Sequence, residues 1–170
     1  MDKEPNVLAG QPCPMCHKST LTLREMDREI PHFGMAFIFS MDCQECDYHM
    51  ADVELESSGK AVKYTLEIDS EADMSIRIIK SGQATIKIPH MVEVTPGPAS
   101  NGYITNVEGV LNRIKNIIKS QEDDEDPAVR KKAKNQLKKL QKVVWGREKL
   151  TMIITDPSGN SAIISEKAKK

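Results

Sequence analysis

The sequence predicts a mainly β (α+β) fold, and three patterns in its 170 residues carry that prediction. Two C-x-x-C pairs lie in the first third of the chain, with alternating apolar and polar residues between them. From about Gly59, short alternating segments follow one another at the spacing of a β-sandwich or barrel. Two stretches with apolar residues at helical spacing interrupt that series, which indicates a helical hairpin inserted into β structure.

The composition is that of an ordinary globular protein. Hydrophobic residues make up 39% and charged residues 29%, and the net charge of −1 provides no overall attraction to nucleic acid or membrane. The sequence contains no apolar run approaching the roughly 18 residues of a spanning helix, and Met1–Pro12 lacks the pattern of a signal peptide. We therefore expect a soluble, cytoplasmic protein with no membrane partner.

The cysteines are the strongest candidates for a functional site. All of them fall in the two C-x-x-C pairs, as Cys13, Cys16, Cys43 and Cys46. Four thiolates at this spacing can hold one structural Zn²⁺ in a closed tetrahedral site, and a reducing cytosol favours metal over disulfides. Two disulfides, a dithiol redox site, a catalytic zinc and an iron–sulfur cluster are the alternatives. His17 and His49 lie beside the pairs, but four sulfurs already fill a tetrahedral shell.

A long β-hairpin explains why 26 residues separate Cys16 from Cys43. Its strands are predicted at Thr20–Arg24 and Met35–Met41, so that the two cysteine turns meet at its base. We therefore expect a zinc-ribbon finger over residues 13–55, after a flexible N-terminal tail over residues 1–12.

The β domain is predicted over residues 56–165. Its first strands are expected at Val62–Ile68, Ile76–Ile78, Ala84–Ile88 and Met91–Val94. Later strands at Thr151–Ile154 and Ser161–Ile164 flank Asp156–Asn160, which predicts a β-hairpin whose central segment serves only as a turn. The charged residues 166–170 are expected to form a mobile tail.

A helical hairpin is predicted inside the β domain at about residues 105–145. Thr105 with Glu108 predicts a capping box at the start of the first helix. Asp126, followed by a proline, predicts the cap and first position of the second helix, and Gly146 predicts its end.

Several motifs together resemble the ZPR-type zinc-finger proteins, and the resemblance runs from about Cys13 to about Ile164. The cysteine pairs have the family's long spacing, and Gly59–Ile68 is similar to the strand that opens its β domain. Four further segments resemble the family's I-P-aromatic-F-G, K-S-x-x-A-T-[IV]-x-I-P, T-T-V-E-G and D-P-S-G-N-S motifs, and they are Ile30–Gly34, Lys80–Pro89, Thr105–Gly109 and Asp156–Ser161.

This resemblance implies both a fold and a function. The implied fold is a four-cysteine zinc ribbon followed by a double-stranded β-helix, or jelly-roll-like, domain with a helical hairpin. Eukaryotic members carry two such units, bind translation elongation factor one-alpha and assist its folding, whereas this chain has one unit, as archaeal members do. The resemblance therefore implies a non-enzymatic zinc-binding module with a protein client.

Pro31, His32, Phe33 and Gly34 are the candidate partner-binding residues, at the predicted tip of the finger. An aromatic side chain beside proline and glycine suits an interface anchor, and packing of Phe33 within the protein is the alternative interpretation.

The two cysteine turns depart from the family pattern. Family fingers usually place glycine after each second cysteine, where this chain has His17 and Asp47. Such turns often need a positive φ, which His and Asp tolerate better than branched residues.

A basic region offers an alternative function. Nine Lys and Arg residues lie between Arg130 and Lys149, which suggests contact with RNA or the ribosome, and a solvated outer face is the competing interpretation. Lys80–Ser81 lacks the full phosphate-loop pattern, so nucleotide binding is not predicted. A metal-dependent enzyme of the β-helix class would need several inward-facing histidines and carboxylates, and the chain has only four histidines.

Overall fold

A computed structural model describes residues 4–30, 34–56 and 59–170, and it confirms a mainly β fold with two α-helices. In chain order the elements are β1 (Asn6–Gln11), β2 (Leu21–Ile30), β3 (Gly34–Cys43), β4 (His49–Leu55), β5 (Val62–Ile68), a 3₁₀ helix (Glu71–Ser75), β6 (Arg77–Lys80), β7 (Thr85–Ile88), β8 (Val92–Val94), β9 (Tyr103–Asn106), α1 (Val107–Lys119), α2 (Pro127–Val144), β10 (Leu150–Asp156) and β11 (Ala162–Ile164). Neither α-helix is long and apolar enough to cross a membrane.

The first sheet is an antiparallel ribbon with the strand order β1-β2-β3-β4. Strands β2 and β3 pair along their whole length, from Leu21 opposite Cys43 to Ile30 opposite Gly34. A strand of ten residues spans about 33 Å, so the cysteines and the opposite end of the hairpin are far apart.

Strand β1 corrects the prediction of a flexible N-terminal tail. Asn6–Gln11 pairs with β2, with Asn6 opposite Glu25 and Leu8 opposite Leu23. All six residues of β1 are exposed, so the strand has no buried face to leave a pattern in the sequence. Backbone pairing with β2, rather than burial, holds it in place.

Two further antiparallel sheets, β5-β10-β7-β8 and β11-β6-β9, form the jelly-roll domain. Strand β10 pairs with β5 and β7, whereas β11 pairs with β6. The predicted hairpin between the last two strands is therefore wrong, because the chain passes from one sheet to the other at Asp156–Asn160. This crossing lets both strands place apolar side chains, such as Met152 and Ile163, in the same core from different sheets.

The helical hairpin predicted at about residues 105–145 is observed as α1 and α2. The predicted capping box at the start of α1 is wrong, because Thr105 still belongs to β9, a short strand that the sequence did not indicate. Asn106 caps the helix instead, and its Oδ1 accepts a hydrogen bond from Gly109 N at 2.8 Å.

Helix α2 begins and ends as predicted. Asp126 Oδ1 accepts a hydrogen bond from Ala128 N at 2.8 Å, and Pro127 occupies the first helical position. At the other end Gly146 has a φ of 63°. Its N–H donates to Val143 O, and Arg147 N donates to Lys142 O. This pair of bonds is a Schellman motif, which glycine favours because it has no Cβ.

One hydrophobic core joins the ribbon to the jelly-roll domain. Ile30, Ala36, Val53 and Leu55 of the ribbon are at most 4% exposed and pack in the same cluster as the apolar side chains of both other sheets and both helices. Burying an aliphatic side chain of this kind contributes about 1.5–3 kcal/mol relative to leaving it exposed. The end of the ribbon opposite the cysteines thus packs against the jelly-roll domain through these four side chains.

The outer edge of β4 is also bonded to the jelly-roll domain. Ala51 O accepts from Gly102 N at 2.8 Å, and Ala51 N donates to Asn101 Oδ1 at 3.0 Å. Leu55 N donates to Asn160 Oδ1 at 3.0 Å, so the Asp156–Asn160 segment does more than make a turn. These bonds satisfy backbone groups that an open sheet edge would leave unpaired.

The charged C-terminal tail is not free, which corrects its predicted mobility. Lys169 and Thr65 exchange two backbone hydrogen bonds, at 2.8 and 2.9 Å. Lys167 Nζ lies 2.7 Å from carboxylate oxygens of both Asp69 and Asp73. The sequence shows only a run of charges here, because the partners of Lys167 lie almost a hundred residues away along the chain.

Gly102→Ala is expected to lower the free energy of unfolding by about 1–3 kcal/mol, as overpacking typically does. The new Cβ would overlap Asp52 Oδ1 and stand 3.0 Å from Val53 N, so β4 would have to move. Urea denaturation measures the change. Gly97→Ala is the control, because no atom lies within 4 Å of its added Cβ. Equal stability of the two variants would contradict this account of the junction.

Asp73→Asn is expected to remove stability that depends on pH. Burial alone would raise the pKa of Asp73, but hydrogen bonds from Lys167 and from the amides of Asp69 and Ser70 outweigh it and lower the pKa to about 2. A depressed carboxyl pKa stabilises the fold above the unfolded value near 4, and that stability is lost as the pH falls from about 4 to 2.

The expected loss for Asp73→Asn at pH 7 is on the order of 1–2 kcal/mol. Chemical denaturation at several pH values should give the variant a flatter pH profile below about pH 4. Asp123→Asn, in the exposed linker between the helices, should leave the profile unchanged. Parallel profiles for wild type and Asp73→Asn would show that the carboxylate contributes nothing through its ionisation.

Candidate metal centre

Two backbone turns at one end of the ribbon present the four cysteines. In the first turn, Cys13 N donates to Lys18 O and His17 N donates to Cys13 O, both at 2.9 Å. In the second, Cys43 N donates to Tyr48 O at 2.8 Å, so each turn is closed by a bond from its first cysteine to the residue five positions on. The β2–β3 pairing brings the two turns side by side.

The residue after each second cysteine has a positive φ, as the sequence predicts. His17 has a φ of 60° and Asp47 a φ of 54°. This left-handed conformation turns the chain back sharply, and it costs non-glycine residues roughly 1–2 kcal/mol. The two turns therefore store modest strain that a bound metal can offset.

The sulfur positions fit a tetrahedral metal site. Cys13 Sγ lies 3.7 Å from Cys46 Sγ, and Cys16 Sγ lies 3.7 Å from Cys43 Sγ. All four sulfurs lie within 4.8 Å of one another. Four Zn–S bonds of about 2.3 Å in a tetrahedron require sulfur separations of about 3.8 Å. The cysteines are free, and these separations are far longer than a disulfide bond of about 2.05 Å.

The surroundings of two of the sulfurs shift their pKa values in opposite directions. The Thr20 hydroxyl, 3.2 Å from Cys43 Sγ, and the amides of Glu45 and Cys46 lower the pKa of Cys43 to about 6. The Tyr48 amide acts in the same direction on Cys46, but burial and the neighbouring thiols outweigh it and raise the pKa of Cys46 to about 12. A divalent cation removes this conflict, because metal binding releases the remaining protons.

The histidines beside the pairs do not join this cluster. His49 Nδ1 lies 2.7 Å from Asp42 Oδ1 on the ribbon surface. Within residues 4–30, 34–56 and 59–170, the four cysteines are the one group of three or more His, Cys, Asp or Glu residues close enough together to hold a metal ion.

The predicted partner-binding residues lie at the far end of the ribbon. Pro31, His32 and Phe33 fall outside the described residues. Gly34 is exposed, opens β3 with a φ of 83° and pairs with Ile30. Since Ile30 is 3% exposed and packs in the shared core, this end of the hairpin adjoins the jelly-roll domain.

The ribbon also carries an apolar surface that the sequence analysis missed. Leu8, Leu23, Met41 and Met50 lie opposite one another across all four strands. Residues in direct register project from the same side of a sheet, and Phe39 and Phe37 continue the row along β3 at intervals of two. We call these six residues the apolar ribbon face. The alternation was visible in β3, but its partners in β1 and β4 required the strand register.

The apolar ribbon face is partly open to solvent. Phe37 is 40% and Leu8 46% exposed, and neither belongs to the shared core. Glu25 and Glu54 border a cavity of about 300 Å³ that Phe37 and Phe39 line. At the other end of the face, Met41 packs against the cysteine cluster. Its side chain therefore connects the metal site with this surface.

The four-sulfur site and the two β units define a zinc-ribbon protein with a fused jelly-roll domain. Sequence models of two domains agree with that description: the ZPR1 zinc-finger domain matches residues 8–62, and the ZPR1 jelly-roll domain matches residues 72–170. The chain belongs to the ZPR1 family, and the predicted fold and the single structural zinc are confirmed.

Archaeal and eukaryotic relatives share this similarity. A ZPR1-like protein of Methanocaldococcus jannaschii is 38% identical over 91% of this chain and 79% of its own length. A ZPR1-like protein of Pyrococcus horikoshii is 36% identical over 92% of this chain and 73% of its own length. The zinc finger chaperone zpr1 of Schizosaccharomyces pombe is 29% identical over 88% of this chain, which spans only 34% of that longer protein.

Chelation of zinc is expected to unfold the cysteine end of the ribbon while the jelly-roll domain persists. The amides of Cys13 and Cys43 should lose protection from hydrogen exchange, because metal binding supplies most of the folding energy of so small a unit. Amides of Val53 and Ile154 should keep their protection, since these residues lie in the shared core. Hydrogen-exchange mass spectrometry before and after chelation distinguishes the regions. Uniform loss or uniform retention of protection would contradict the expectation.

Proposed function

We propose that this chain is a zinc-dependent, protein-binding chaperone and not an enzyme. Its proposed client is a translation elongation factor GTPase of the one-alpha type, which it binds in the cytoplasm and helps to fold. Membership of a family that includes a protein named a zinc finger chaperone supports the general class. The resemblance of the sequence motifs to this family supports the choice of client.

The observation that carries the proposal is the apolar ribbon face. A chaperone must hold apolar segments that a folding client still exposes, and apolar patches rimmed by polar residues are typical of protein interaction sites. Phe37 and Phe39 supply the aromatic anchors that commonly dominate binding energy. The carboxylates of Glu25 and Glu54 beside them suit a client segment in which basic residues flank apolar ones.

Zinc supports this surface indirectly. Met41 and Tyr48 pack against the cysteine cluster, and the β3–β4 turn that contains Cys43 and Cys46 fixes the register of the Met41–Met50 pair. Without the metal, the apolar ribbon face would lose its order at the cysteine end, where Leu8, Leu23, Met41 and Met50 lie across the four strands. Client binding should therefore depend on zinc although the metal does not touch the client.

The predicted tip residues remain part of the proposed client surface. The segment Pro31–Gly34 follows Ile30, which borders a cavity of about 460 Å³ between the ribbon and the jelly-roll domain. Arg77 of β6 and Thr105 of β9 line the opposite side of that cavity. A client loop that bound in this cleft would contact Ile30, the residue that precedes the proposed segment.

RNA or ribosome binding is the second candidate, and the surface of α2 favours it. Lys131, Lys132, Lys134 and Lys138 are exposed, and none of them has a carboxylate within 4 Å among the described residues. Lys139 lies 3.7 Å from Glu148, which neutralises part of this surface. Contacts of such lysines with phosphates would weaken steeply as salt is added.

Phe37→Ser is expected to weaken capture of the elongation factor by about tenfold, as loss of an interface anchor does. The measurement is a pull-down from lysate with the zinc-loaded protein, with elongation factor and ribosomal RNA quantified in parallel. A Cys43→Ser, Cys46→Ser double variant should lose capture completely, because it cannot close the zinc site.

Ile117→Ser is the matched control, since Ile117 is 41% exposed on α1 and Phe37 is 40% exposed on the ribbon. The control should capture the client like the wild type. Equal loss in both variants, or capture by the double cysteine variant, would remove the apolar ribbon face from the proposal. Recovery of ribosomal RNA alone would favour the second candidate.

A further inference from the structure

A cavity of about 280 Å³ lies between β6, β9, α1 and the loop that precedes β9. It adjoins the Lys80–Ser81 segment, for which the sequence predicts no nucleotide site. The cavity is separate from the cysteines and from the apolar ribbon face. Its volume equals roughly nine water molecules at about 30 Å³ each, which is enough for one phosphate group and a small substituent.

A buried lysine forms part of the cavity wall. Lys80 is 4% exposed, and its Nζ makes one hydrogen bond among the described residues, to Ser81 O at 2.9 Å. An ammonium group carries three donors, so two remain for another acceptor. Buried lysines without a full set of partners are rare, because removing an ammonium group from water is costly.

The carboxylates nearest to Lys80 are already occupied. Asp156 accepts hydrogen bonds from Ser81 Oγ at 2.8 Å and Ser161 Oγ at 2.6 Å. Asp52 accepts from Gly82 N at 2.7 Å. Neither carboxylate lies within 4 Å of Lys80 Nζ, and neither lines the cavity. They help to keep the ammonium group charged without closing an ion pair.

A second cation faces the same space. The Arg113 guanidinium lies 4.3 Å from the centre of the Tyr103 ring, and Lys80 Nζ lies 5.5 Å from it. Burial lowers the pKa of Lys80, the two aspartates oppose this, and the charge of Arg113 lowers it further. Arg113 has no carboxylate within 4 Å in the described part of the chain. Two cations thus share a cavity whose described lining contains no anion.

Neutral donors complete the wall. Asn101 Oδ1 accepts from Ala51 N, which leaves the amide NH₂ of Asn101 available. Ser100 also lines the cavity. Cations and neutral donors converging on one small space, with no competing carboxylate, are the arrangement that holds phosphate groups in proteins.

We propose that the cavity formed by Lys80, Arg113, Tyr103 and Asn101 is a binding site for the phosphate group of a small ligand. A phosphate would relieve the repulsion between the two cations and occupy the free donors of Lys80. Arg113, which is exposed at the rim, would meet the anion first, and Lys80 would bind it at the buried end. The site does not depend on the proposed client, because it shares no residue with the apolar ribbon face.

Isothermal titration of inorganic phosphate into the zinc-loaded full chain tests this proposal. Wild type should bind one phosphate per chain, and Arg113→Gln should weaken binding about tenfold or more, as loss of one charge-assisted contact does. Lys119→Gln is the matched control, since Lys119 is exposed in the last turn of the same helix and does not line the cavity. It should bind phosphate like the wild type.

Three outcomes would overturn the proposal. These are the absence of saturable binding to wild type, equal weakening in Arg113→Gln and Lys119→Gln, and tighter binding of acetate than of phosphate. A folded Lys80→Met variant gives a second check, and it should lose phosphate binding. Unchanged affinity in that variant would also overturn the proposal, because Lys80 would then serve only the packing of the junction.

Discussion

The docking of β4 onto the jelly-roll domain is the interaction on which the rest of the structure depends. The ribbon is four strands wide, and its own core among the described residues is the small cluster around the cysteines. Val53 and Leu55 extend the larger core into the ribbon, while Ala51 and Leu55 tie its edge by hydrogen bonds. Gly82 and Gly102 make this contact possible, because a Cβ at either position would collide with Asp52.

Two unrelated forces therefore hold the two ends of the ribbon. At one end four sulfurs bind a metal, and at the other apolar side chains are buried, about ten residues away along β2 and β3. The apolar ribbon face lies between these ends, and the strands that carry it are held at both. This arrangement leaves a partly apolar sheet face exposed, with Phe37 at 40% and Leu8 at 46% exposure.

The sequence predicts the parts of this structure that rest on local chemistry. The cysteine spacing predicts the metal site, and Asp126 and Gly146 predict the limits of α2, because caps and turns act within a few residues. Long-range partners are not visible in the sequence alone. The buried side chain of Gln136 donates to Met91 O at 2.9 Å, and a polar residue at that position gives no sign of burial. The sequence likewise gives no sign of the contact between Lys167 and Asp73, or of the passage of the chain from one sheet to the other at Asp156.

The pairing of β5 with β10 has a consequence for how the protein is made. Val62–Ile68 pairs with Leu150–Asp156, and Thr65 forms an antiparallel bridge with Lys169. During synthesis the pairing edge of β5 stays without β10 until both helices and Leu150–Asp156 have left the ribosome. Contacts of such long sequence separation form slowly, whereas the ribbon pairs mainly with itself and can bind zinc early. The cysteine end of the ribbon can therefore form from strands that are neighbours in the sequence, whereas the jelly-roll domain needs a strand that follows both helices.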